Sequence, residues 1–190
     1  MKYLLEPEER KLLQELRDSK SATRDRTIIE LVLNTGLRVQ ETRFLNVEDV
    51  WNGYEIRRHL VVRPETAKRC KAREVPLNHK IRSTLLDFIK WKRRKGETVL
   101  PDAPLFMSRK GNRVGQRTLQ DMIENWLKRA GIEGYSFHSL RHTYSMKLRR
   151  RDIKLETIQK LLGHSTLQAT GIYLEPSREE LIEAAEAITR

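Results

Sequence analysis

The chain has 190 residues, with 38 Lys and Arg against 26 Asp and Glu, a net charge of +12 at pH 7. That length suits one compact domain, or two small ones, with a core that needs no staples. No apolar run is long enough for a membrane span or a signal peptide, and the single cysteine, Cys70, excludes an internal disulfide and a cysteine-rich zinc site, so a reducing cytoplasm is the expected compartment.

The N-terminal segment predicts a helix with Pro7 in its first turn and an apolar stripe of Leu12, Leu13 and Leu16. A second helix is expected from about Thr23 to Asn34, stopped by Gly36, and a short one from about Val39 to Leu45. Asn52-Gly53 is a hairpin signal between Val50-Trp51 and an extended run from Tyr54 to Val62. A second extended piece spans Arg73 to Leu77, and the polar, basic stretch between the two reads as a loop.

Beyond Pro76 the periodicity is helical. Ile81, Leu85, Phe88 and Ile89 form one stripe, and Leu119, Met122, Ile123, Trp126 and Leu127 form another that Gly131 ends. Further helices are expected from about Ser139 to Arg151 and from Lys154 to Leu162, where Gly163 stands as the stop. Ser177 with Glu180 makes a capping box for a last, acidic helix. The fold class is therefore α+β, mainly α, with one small antiparallel sheet in the N-terminal third.

Both ends of the chain are acidic, so the positive surplus is concentrated between residues 19 and 174. It comes in runs: Lys90 to Lys95, Arg109 to Arg117, and Lys147 to Lys154. One such run is normally a solvated helix face, but three in one domain suit a surface that follows phosphates.

Four segments carry chemistry. In Thr35-Gly36-Leu37-Arg38 an arginine follows a glycine turn, where its fork of donors suits a phosphate; the plain alternative is an ion pair with Glu41. His138 and Arg141 stand at i and i+3 near a helix start, a natural anion site or simply a polar helix start. His164 lies just past the Gly163 stop, and Tyr173 follows nine residues later. A free phenol has a pKa near ~10, so Tyr173 needs cationic help to act as a nucleophile.

Thr-Gly-Leu-Arg with an acid three residues on, a basic hairpin ending in Val75-Pro76-Leu77, His138-x-Leu140-Arg141-His142, and Leu162-Gly163-His164 with Tyr173 downstream occur here in order. Together they resemble the tyrosine recombinase, or phage-type integrase, family over almost the whole chain. The resemblance implies that Arg38 and Arg141 bind the scissile phosphate, with His138 and His164 beside them, and that Tyr173 is the nucleophile. Lys68, eight residues before Pro76, matches the family's hairpin lysine, with Lys71 a close alternative. Glu41 matches an acidic position that supports the site from behind.

The activity so implied is site-specific cleavage and rejoining of double-stranded DNA through a 3′-phosphotyrosine. No nucleotide cofactor is expected, since one ester replaces another, and no metal, since no cluster of carboxylates has metal-site spacing. The implied partners are DNA, further copies of the chain assembled on it, and accessory DNA-bending proteins. Relaxation in the manner of a type IB topoisomerase and an inactive DNA-binding regulator are the alternatives. The expected organisation is a catalytic domain over 1–176 and an acidic helix over 177–190 that docks on a neighbouring protomer. The family's additional N-terminal helical domain is absent from this sequence, as in a short form or a catalytic fragment. His59 and His79 read as surface residues, His142 as packing behind the site, and the three tryptophans as core or rim.

Overall fold

The computed structural model describes residues 2–19, 22–63 and 72–163. Within them the order is α1 (Glu6–Asp18), α2 (Thr23–Thr35), α3 (Val39–Arg43), a 3-10 turn (Val47–Asp49), β1 (His59–Val62), β2 (Arg73–Pro76), α4 (His79–Arg94), α5 (Gln116–Arg129), α6 (Phe137–Arg149) and α7 (Leu155–Leu162). The mainly helical α+β class is as expected. The proposed helix from Ser177 and the domain boundary at 176 lie outside the described residues.

Helix α2 is the hub. Ile28, Ile29, Leu31, Val32 and Leu33 are all buried, more apolar surface than a one-faced helix shows. Its widest contacts are with α6 and α4, and α1 and α5 also pack against it. Phe88 of α4 anchors one side of the core, with its ring 5.5 Å from Trp91 and 5.4 Å from Phe106. Its neighbour Lys92, part of a run that reads as solvated, is fully buried and ion-paired to Glu97 at 2.7 Å. Burial of a lysine is tolerated because its one charge has a partner at hydrogen-bond distance.

The sheet is smaller than the sequence implies. β1 and β2 pair antiparallel over His59–Val62 and Arg73–Pro76, with Leu60 opposite Val75. The extended run from Tyr54 is cut short because β2 offers only four residues before Asn78 caps α4, accepting the Ile81 N–H at 2.9 Å. Asn52-Gly53 does reverse the chain, but the reversal closes only a single bridge, Trp51 to Ile56. Helix α6 starts two residues earlier than expected, at Phe137. Ser136 takes the extended N-cap conformation, and its N–H donates to Ser139 Oγ at 3.2 Å. His138 thus lies inside the first turn.

Candidate active site

The site forms where α2 ends. Gly36 adopts φ +64°, and its N–H closes on the Val32 carbonyl at 2.8 Å. A Cβ there would come within 2.5 Å of Tyr144 Cδ1 and 2.8 Å of Leu162 Cδ2, so both the left-handed backbone and the packing require glycine. Leu37 is then buried, which fixes the turn, and Arg38 becomes the extended N-cap of α3. Glu41 folds back on it, with Oε2 accepting the Arg38 N–H at 2.7 Å and Oε1 accepting Arg38 Nη1 at 3.0 Å. The plain ion pair and the special placement of Arg38 are therefore both present. Pairing with Glu41 leaves the arginine side chain 33% exposed at the mouth of the site.

Glu41 itself is buried, surrounded by Arg38, Arg73 and Arg141. Burial alone pushes its carboxyl up. The hydrogen bonds and charge of Arg73, the Arg38 N–H and the charge of Arg141 outweigh that and hold it at about 2. The carboxylate stays ionised and supports the arginines. Three guanidiniums thus surround one carboxylate among the described residues, a setting suited to a phosphate.

Arg141 comes from the buried face of α6. Its Nη1 donates to the Gly36 carbonyl, and its Nη2 to the Leu162 carbonyl at 2.8 Å. His138, one turn back on α6, is exposed. Partial desolvation first, then the charges of Arg141 and Arg38, hold its imidazole below the ordinary histidine value. It is therefore largely neutral at pH 7, with one ring nitrogen left to donate. His142 points the other way, buried edge-to-face on Tyr3 at 5.4 Å, as a packing residue behind the site.

Helix α7 closes the far side. Its last carbonyls, at the negative end of the helix dipole, face the three arginines. Leu161 O accepts Arg73 Nε at 3.3 Å, Leu162 O accepts Arg141 Nη2, and Gly163 O accepts Arg38 Nη2 at 3.4 Å. Of the six residues singled out in the sequence, Arg38 from the α2–α3 junction is brought together with His138 and Arg141 from the start of α6. Lys68, with its alternative Lys71, and His164 and Tyr173 lie outside the described residues. Arg73 went unnoticed in the sequence. Its only signal was its place three residues before Pro76 at the end of a basic hairpin.

The fold recurs in known proteins. The XerA recombinase structure matches at a TM-score of 0.79 and 28% identity, covering 99% of this chain and 65% of that one. The XerH site-specific recombinase bound to difH substrate, in a pre-cleavage complex, shares the fold at a TM-score of 0.77 and 24% identity, over 97% of this chain and 54% of that one. The class is thus that of the tyrosine recombinases. The tyrosine recombinase XerC of Caldanaerobacter subterraneus subsp. tengcongensis is 35% identical over 185 residues, 96% of this chain and 49% of that protein. XerC of Thermodesulfovibrio yellowstonii is 32% identical over 170 residues, 87% of this chain and 54% of that protein. The phage integrase family model matches residues 2–180, and the chain belongs to that family. It spans about half the length of the curated relatives it matches.

Proposed function

We propose that this chain is the catalytic domain of a site-specific DNA recombinase that cuts and rejoins strands through Tyr173. The observation that carries the reading is the convergence of Arg38, His138 and Arg141 on one spot backed by a buried, ionised Glu41. Guanidinium and imidazole donors held in place before the substrate arrives stabilise the charge that builds on the non-bridging oxygens of a phosphodiester under attack.

In this mechanism the Tyr173 phenol gives up its proton to solvent as its oxygen attacks phosphorus and forms a 3′-phosphotyrosine. The bond to the 5′-oxygen breaks, and Lys68 gives that oxygen a proton. A 5′-hydroxyl of another strand then gives its proton to Lys68 as it attacks the phosphotyrosine, restoring a phosphodiester and releasing Tyr173, which takes back a proton from solvent. The number of ester bonds is unchanged, so the exchange draws on no nucleotide energy source. His164 adds a donor to the same phosphate.

Beside the site a basic surface suits the flanking DNA backbone. Arg43 and Arg113 lie over the Phe44 ring, at 4.6 and 5.6 Å from its centroid, with Arg63 nearby on the Phe44 carbonyl at 3.1 Å. Their guanidiniums are anchored by the Val114, Arg43 and Leu45 carbonyls and by Asn46, which holds this half-buried positive charge in place beside the site. The whole assembly on DNA includes further copies of the chain, with residues 177–190 docking on a neighbour, and it works where the cell's DNA is, in the cytoplasm.

The test is covalent capture. A nicked duplex, selected from a randomised pool for capture by the wild type, gives a protein–DNA band on a denaturing gel. Arg38→Ala and Arg141→Ala each slow its appearance by about 100- to 1000-fold. A band that forms at the wild-type rate in both variants removes the arginine pair from the chemistry.

A further inference from the structure

Arg73 opens β2, and its side chain is only 9% exposed. Its two terminal nitrogens grip both oxygens of Glu41, Nη1 on Oε1 at 2.7 Å and Nη2 on Oε2 at 2.8 Å. Such a fork fixes the plane of a carboxylate as well as its charge. The same two oxygens hold Arg38, one through its backbone N–H and one through Nη1. The other contacts of the Arg38 guanidinium, to the Leu162 and Gly163 carbonyls, are long at 3.5 and 3.4 Å. The direction in which Arg38 points therefore depends mainly on Glu41, and the direction of Glu41 depends on Arg73.

Arg73 also reaches α7. Its Nε–H donates to the Leu161 carbonyl, and its side chain passes so close to Gly163 that a Cβ there would lie 2.9 Å from Arg73 Cδ and Nη1. One guanidinium thus ties the strand that leaves the hairpin, the short helix that starts at Arg38 and the end of α7 into one support.

We propose that Arg73 is a positioning residue for strand cleavage, locking the Glu41 carboxylate and through it the aim of Arg38 while holding the end of α7 to the same support. The inference rests on the recombinase reading. Arg73 is placed behind Glu41 and acts through Arg38 without touching the phosphate. The charged groups facing Glu41 are Arg38 on its own helix, Arg73 from β2 and Arg141 from α6, with His138 flanking the two outer arginines. When Arg73 is replaced by a neutral residue, the burial of Glu41 loses its strongest counterweight, and the carboxyl takes up a proton closer to neutral pH. Protonated, it can no longer accept from Arg38 at both oxygens. Lysine restores a charge but not the fork.

The experiment measures single-turnover covalent capture of the selected nicked duplex at saturating DNA, across pH, for wild type, Arg73→Gln and Arg73→Lys. A carboxyl-carbon NMR titration of Glu41 in the free protein runs beside it. Arg73→Gln is expected to slow capture by about 100-fold, the scale of a misaimed reactive group, with DNA affinity changed by less than about threefold. Its rate falls off at higher pH than the wild type's on the acid side, and its Glu41 titration moves up. Arg73→Lys returns the acid limb toward wild type while its rate stays slow by about tenfold or more. Should Arg73→Gln fail to fold, Arg73→Lys decides through that split between rate and pH limb. The proposal is overturned if folded variants capture DNA at the wild-type rate, or lose rate evenly at all pH with Glu41 unmoved, the mark of a merely structural strut. Wild type capturing no duplex defeats the recombinase reading instead, and the titration still reports on the Arg73–Glu41 link.

Discussion

Glu41 is the residue on which the charge balance of the site turns. Its carboxyl ionises at about 2 in the folded chain, against an ordinary 4.5. The folded value is the lower one, so ionised Glu41 stabilises the fold fully above about 4.5, and that contribution is lost as pH falls from there through about 2. The shift corresponds to about 3 kcal/mol. Glu41→Gln is expected to lower stability at pH 7 by about 3–5 kcal/mol, because three guanidiniums lose their carboxylate. It is also expected to flatten the loss of stability between pH 4.5 and 3. Denaturant melts at several pH values check both, and a variant with the wild-type acid limb contradicts the assignment. At this scale Arg38, His138 and Arg141 were legible in the sequence because each stands in a local pattern, a glycine turn or a helix start. Arg73 was not. Its partner Glu41 is 32 residues away and its α7 contact 88, and no local spacing encodes such a meeting.

Among the elements, the α2–α3 junction makes the most specific demand on sequence. Gly36→Ala forces a Cβ into the Tyr144 ring and the Leu162 side chain at a left-handed backbone position. The combined cost is about 2–4 kcal/mol. Thermal or denaturant unfolding measures it, and a loss below about 1 kcal/mol means that Tyr144 and α7 yield easily. The consequence is larger than a loosened turn, because Leu162 and Gly163 carry the carbonyls that face Arg141 and Arg38. Helix positions were legible from their stops and stripes, Gly36 and Gly163 above all. The strands were less so. The Tyr54–Val62 run looks extended, but its length as a strand is set by a partner that has only four residues to offer. The start of α6 was misjudged by two residues because Ser136 and Ser139 both suit a cap, and the backbone of Ser136 decided between them.

For the molecule as a whole, a core centred on α2 holds Arg38, Arg73 and Arg141 in register around Glu41. The net +12 is not spread evenly in its effect. Part of it is turned inward, as with Arg73, Arg141 and the fully buried Lys92, and part is half-buried around Phe44 beside the site. Composition alone counts those charges together, and only the fold separates the structural ones from those left for phosphates. In the recombinase reading proposed above, these residues surround a phosphate attacked by Tyr173. The most direct measurement is mass spectrometry of the peptide that remains joined to DNA after covalent capture and digestion. A nucleotide 3′-phosphate on Tyr173 is expected, with no trapped adduct from Tyr173→Phe. A phosphate linked to any other side chain, or an adduct that survives Tyr173→Phe, contradicts it.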